Sequence, residues 1–130
     1  MSKKPRVLLA DDHESVRREI RAMLEPEFDV VGAVPDGEAL LEAAETLKPD
    51  VVVLDVSMPV MSGIEAAKRL KKLHPEGKIV FLSIHQAPAI VQEALSTGAL
   101  GYVFKISADA DLAEAVRQAL EGHSFLSPTP

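Results

Sequence analysis

Residues 51–63 read Val51-Val52-Val53-Leu54-Asp55-Val56-Ser57-Met58-Pro59-Val60-Met61-Ser62-Gly63. Four consecutive apolar residues, three of them β-branched, predict a strand buried on both faces, as in the interior of a parallel sheet. The run ends on a carboxylate and enters a turn marked by Pro59 and Gly63. Ser62, with Glu65 three residues on, carries the capping-box signature of a helix start. A strand followed by a helix places Asp55 at the carboxyl end of a sheet strand, the rim where ligands bind in open α/β sheets.

The same unit recurs on either side. Apolar runs begin near Arg6, Phe28, Val51, Lys78 and Gly101, with helical patterns between them. After Asp12, Val16, Ile20, Met23 and Leu24 fall at helical spacing, and Pro26 stops that helix. Asp36 is the expected N-cap of the second, with Leu40, Leu41, Ala44 and Leu47 inward. Ile64, Ala67, Leu70 and Leu73 face the core from the third, and a short Ala-rich fourth runs from about Pro88 to Gly98. The last runs from about Asp109 through Leu112, Val116 and Leu120 to Gly122. The units share nothing beyond this pattern, so they are not a repeat array.

Strands alternating with helices predict an α/β fold of flavodoxin-like type: a doubly wound five-stranded parallel sheet, order 2-1-3-4-5, between two helical layers. Right-handed crossovers bring the strand ends to one rim. Those ends carry Asp11 and Asp12, Asp55, Ser83 and, just past Tyr102-Val103-Phe104, Lys105. Only the second strand, Phe28 to Val34, ends without a reactive group, which suits an edge strand outside the site.

With 130 residues and 47% hydrophobic content, the chain has the size of one domain with its own core. The expected domain covers 1–123. Cysteine is absent, which excludes disulfides and thiolate metal sites. The apolar run after the basic N-terminus is too short for a signal peptide or a membrane span, so a soluble cytoplasmic protein without membrane contact is expected. A net charge of −6 disfavours direct binding to nucleic acid.

Three carboxylates converging on one pocket repel each other by roughly 4 kcal/mol per pair at ~4 Å and an effective dielectric near 20, and so call for a cation. A hard ion such as Mg²⁺ takes oxygen ligands, while Lys105 and Ser83 supply donors for phosphoryl oxygens. The sequence Ala10-Asp11-Asp12-His13-Glu14-Ser15 is the electrostatic opposite of a Gly-rich phosphate loop. The phosphoryl group must therefore come with or after the cation, and Asp55 is the candidate nucleophile.

At this point the chain resembles the receiver domain of two-component response regulators, over essentially its whole length. The resemblance rests on Asp11-Asp12, Asp55 with Met58-Pro59 and Gly63, Leu82-Ser83, and Tyr102 three residues before Lys105. His13, Ser83-Ile84-His85 and Gly98-Ala99 before Gly101-Tyr102 are similar to the LuxR-type (NarL-like) subfamily. The resemblance implies that Asp55 takes a phosphoryl group from a sensor histidine kinase, with Mg²⁺ held by Asp12, Asp55 and the Ser57 backbone carbonyl, and by Asp11 through water. It implies that Lys105 pairs with the phosphoryl oxygens, that Ser83 moves to bond them, and that Tyr102 swings inward. It further implies a phosphorylation-dependent homodimer, through either the fourth helix, fifth strand and fifth helix or the first and fifth helices. Residues 124–130 are similar to the start of a linker, so DNA is expected to be reached only through a helix-turn-helix domain beyond Pro130. The alternatives are a stand-alone phosphorelay receiver and a phosphatase that forms an aspartyl phosphate. The phosphatase would need a second carboxylate two residues after the nucleophile, where this chain has Ser57.

Each rim residue also has a plainer role to be weighed. A lone strand-end Asp is commonly a helix cap, Ser83 a turn hydroxyl, Tyr102 core packing and Lys105 a solvated lysine. None of these explains the whole set. The four histidines lack paired metal spacing; His13 is expected to pack or cap near the first helix, and His85 to border the pocket and affect water attack on the acyl phosphate. Met58 reads as loop packing around the site. Lys68-Arg69-Lys71-Lys72 reads as a solvated helix face. Ile106 follows Lys105 where the family often has proline, so a trans bond is expected there.

Overall fold

The computed structural model describes residues 3–128. Six parallel strands lie in the order β2-β1-β3-β4-β5-β6: β1 (Arg6–Ala10), β2 (Asp29–Val34), β3 (Val51–Leu54), β4 (Lys78–Ser83), β5 (Gly101–Phe104) and β6 (Phe125–Leu126). The helices are α1 (Glu14–Leu24), α2 (Gly37–Leu47), α3 (Gly63–Leu73), α4 (Pro88–Leu95) and α5 (Ala108–Leu120), the last preceded by a 3-10 turn over Lys105–Ser107. The fold and the order of the first five strands match expectation.

The sixth strand is the difference. Phe125 and Leu126 pair with Gly101 and Tyr102, although both fall in the segment read as linker. The following Ser127 is buried, and its Oγ accepts from the Phe104 N–H at 3.2 Å and donates to Asp111 Oδ2 at 2.9 Å. These bonds satisfy polar groups at the open edge of β5, which would otherwise need water. Pro130, at which the linker reading ends, lies outside the described residues.

Strand side chains alternate between two cores. Leu8, Leu54, Phe81 and Tyr102 pack under α2, α3 and α4, while Val7, Leu9, Val53, Leu82 and Val103 pack under α1 and α5 with Leu112 and Val116. Buried apolar residues on both faces explain why β3 shows no polar alternation. The helix starts follow local chemistry. Asp36 Oδ1 accepts from the Ala39 N–H at 2.8 Å, and Ser62 Oγ from the Glu65 N–H at 3.2 Å. Glu65 pairs with Arg69 at 3.1 Å, a turn further along α3. All peptide bonds among the described residues are trans, as expected after Lys105.

Candidate functional site

The parallel register sets the strand ends side by side. Leu54 is level with Ala10 on β1 and Phe81 on β4, and Ser83 is level with Phe104 on β5. One residue beyond Ala10, Leu54 and Phe104 the chain leaves the sheet at Asp11, Asp55 and Lys105, while Ser83 is itself the last residue of β4. The Asp55 N–H donates to the Ala10 carbonyl at 3.0 Å, and the Asp11 N–H to the Val34 carbonyl at 3.1 Å, so both aspartates sit on fixed backbone. Gly63 closes the other side. A Cβ there would lie 1.8 Å from the Asp55 carbonyl oxygen, so only glycine lets the start of α3 pack on this turn.

Asp11 and Asp55 are almost fully buried, at 1% and 4% exposure. Lys105 Nζ lies between them, 2.8 Å from Asp11 Oδ2 and 3.2 Å from Asp55 Oδ2. The remaining oxygens take backbone donors: Asp55 Oδ1 accepts from the Ser57 N–H at 3.3 Å, and Asp11 Oδ1 from the His13 N–H at 2.9 Å. Asp12 stands partly exposed at the mouth. Its buried Oδ1 accepts no hydrogen bond, although His13 Nδ1 is in ion-pair range at 3.1 Å.

The electrostatics follow from burial. Loss of solvent raises the Asp55 carboxyl to about 6; Lys105 pulls it down and Asp11 pushes it up. Burial alone would depress the Lys105 ammonium, but its contacts with Asp11 and Asp55 outweigh that and raise it. Asp11, Asp12 and Asp55 facing one Lys105 leave the rim short of positive charge. Hard carboxylate oxygens, two of which, Asp11 Oδ2 and Asp12 Oδ1, accept no hydrogen bond, fit a Mg²⁺ ion.

Ser83 is completely buried at the end of β4, and its Oγ accepts the His85 N–H at 3.0 Å. The Tyr102 ring is inward and fully buried. It packs against Phe81 and Phe104, with ring centroids 6.2 and 5.8 Å away, and its hydroxyl donates to the His85 carbonyl at 2.7 Å. Burial raises the Tyr102 phenol, partly offset by the Ser83 hydroxyl. Asp12, Ser57, Met58, His85 and Ile90 line a groove of about 560 Å³ beside this rim.

His13 occupies the N-cap position of α1 with its ring exposed and no side-chain capping bond. The contact missed in the sequence is between Ser57 Oγ and His85 Nε2, 2.6 Å apart. The two residues lie in different loops, and no spacing rule joins them.

A family model described as the response regulator receiver domain matches residues 7–117. The transcriptional regulatory protein DegU of Brevibacillus brevis is 39% identical over 128 residues, covering 96% of this chain and 54% of DegU. The nitrate/nitrite response regulator protein NarL of Escherichia coli K12 is 37% identical over 123 residues, covering 93% of this chain and 57% of NarL. The crystal structure of a LuxR-family two-component response regulator from Aurantimonas sp. SI85-9A1 superposes with a TM-score of 0.93 at 33% identity, covering 97% of this chain and 91% of that one. The chain spans little more than half the length of the curated relatives it matches.

Proposed function

Because the chain belongs to the response regulator receiver family, with LuxR- and NarL-type relatives, we propose that Asp55 accepts a phosphoryl group from a sensor histidine kinase in a Mg²⁺-dependent transfer. The observation that carries this reading is the buried Asp55 carboxylate joined to Lys105 at 3.2 Å and through it to Asp11 at 2.8 Å.

The chemistry follows from that geometry. An Asp55 carboxylate oxygen attacks phosphorus as the bond from phosphorus to the donor's imidazole nitrogen breaks, and the nitrogen leaves with its electron pair. Near pH 7 an acid of pKa about 6 is mostly ionised, so no separate base is needed to expose the nucleophile. Lys105 can then turn its positive charge to the phosphoryl oxygens. Asp12, Asp55 and the Ser57 carbonyl would hold Mg²⁺, with Asp11 reaching it through water. The bound ion supplies charge neutralisation for phosphoryl oxygens in an acidic pocket.

Phosphorylation replaces the single negative charge of the Asp55 carboxylate with the roughly −1.5 to −2 of a phosphoryl group, a net gain of about −0.5 to −1 at a buried rim. Ser83 is the hydroxyl placed to respond, and the inward Tyr102 ties that response to β5 through the His85 carbonyl. The expected consequences are a population shift, a phosphorylation-dependent homodimer and control of DNA binding through a further domain. No helix among the described residues is long and apolar enough to cross a membrane; a cytoplasmic location belongs to the proposal.

Beryllofluoride binding with Mg²⁺, followed by ¹⁹F NMR, tests the acceptor. The wild type should bind it and Asp55→Asn should not. Equal binding by both would remove Asp55 from the role.

A further inference from the structure

His85 is the point where three parts of the rim meet. Its N–H donates to Ser83 Oγ at 3.0 Å, its carbonyl accepts from the Tyr102 hydroxyl at 2.7 Å, and its Nε2 lies 2.6 Å from Ser57 Oγ. The first two bonds anchor the His85 backbone to β4 and β5. The third crosses to the loop that carries the phosphoacceptor. Little else holds this stretch: Ile84, Gln86 and Ala87 are exposed, and α4 starts at Pro88 without a side-chain cap or an acidic residue in its first turn. At eight residues, α4 is also the shortest α-helix among the described residues.

We infer that the hydrogen bond between the Ser57 and His85 side chains is a latch, holding the loop after β4 against the loop after β3 and setting the cost of moving Ser83 toward a phosphoryl group on Asp55. This inference rests on the phosphoacceptor reading above. The two ends of the latch belong to different bodies. Ser57 is tied to Asp55 through its N–H, which donates to Asp55 Oδ1 at 3.3 Å. His85 is tied to Ser83 and Tyr102. When a phosphoryl group on Asp55 draws the Ser83 hydroxyl, the residue bonded to Ser83 is pulled with it, and the Ser57 contact, already at a short 2.6 Å, has no room to follow and must rearrange. His85 and the Ser57 hydroxyl are thus positioning groups that act through Ser83.

Calorimetric titration of Mg²⁺-saturated protein with beryllofluoride tests the latch in wild type, Ser57→Ala, His85→Ala and the double variant. Each single variant should bind about threefold to tenfold more tightly, the value of one net hydrogen bond. The double variant should gain no more than the stronger single one, because both changes remove the same bond. Ser57→Thr and His85→Gln, which retain a hydrogen-bonding side chain, should stay near wild type. Unchanged or weaker binding in the alanine variants, or gains that add in the double variant, would overturn the latch. Binding by wild type, its loss in Asp55→Asn and wild-type affinity in the latch variants would leave the acceptor standing and remove the latch alone. A wild type that takes no beryllofluoride would overturn both.

Discussion

Lys105 Nζ lies 3.2 Å from Asp55 Oδ2 and is four-fifths buried, so the two charges meet largely away from solvent. The lysine also holds Asp11 at 2.8 Å, and its removal leaves two buried carboxylates facing each other. Breaking a buried pair costs more than the pair itself contributes, because the surviving charges lose their compensation. Lys105→Met should destabilise the metal-free protein by about 2 kcal/mol, below the usual range because the lysine keeps some solvent. Urea denaturation at pH 7.5 checks this, and added Mg²⁺ should stabilise the variant more than the wild type.

The Asp55 carboxyl, at about 6, lies above its ordinary value of 3.8. The fold therefore favours the protonated form. The cost of ionising Asp55 is absent below about pH 4, grows between 4 and 6, and is complete above about 6. Asp55→Asn should raise the stability of the metal-free protein by about 2 kcal/mol at pH 7.5 and have little effect at pH 4. Thermal melts in a chelator at the two pH values would show the difference; an equal effect at both would contradict the assigned environment.

Gly63→Ala forces a Cβ to within 1.8 Å of the Asp55 carbonyl oxygen, a backbone atom that no side-chain rotation can move. The loop after β3 must shift or the helix start must unwind. The expected loss is about 3 kcal/mol, at the upper end for overpacking, read as a lowered melting temperature.

Ser127→Ala removes the acceptor of the Phe104 N–H and the donor to Asp111. Leaving a buried N–H without a partner costs about 1–2 kcal/mol. Hydrogen exchange should quicken at Phe104 and along the β5–β6 pairing while β1 and β3 stay protected.

Much of this was legible in the chain because residue spacing and strand ends are local signals. Val51 to Leu54 could only be a two-sided buried strand, and once the βα units were counted, Asp11, Asp55 and Lys105 had to leave the sheet on one rim. Asp36 and Ser62 announced their helices through cap chemistry. The two-residue strand β6 was not legible, since Phe125 and Leu126 carry no period and pair only because β5 offers an open edge. The inward ring of Tyr102 depends on Phe81 and Phe104 as tertiary neighbours. The bond between Ser57 and His85 joins two loops whose approach is a product of the whole sheet. Sequence marked His85 as a border of the pocket and could not show it as the junction of Ser83, Tyr102 and Ser57.

The most direct test of the central claim is the site of covalent modification. The protein is incubated with acetyl phosphate and Mg²⁺, digested at low pH and mapped by mass spectrometry. The account predicts one phosphoryl group on the peptide carrying Asp55, labile to hydroxylamine as an acyl phosphate must be, and none in Asp55→Asn. A phosphoryl group on another residue of the wild type, or undiminished labelling of Asp55→Asn, would contradict it.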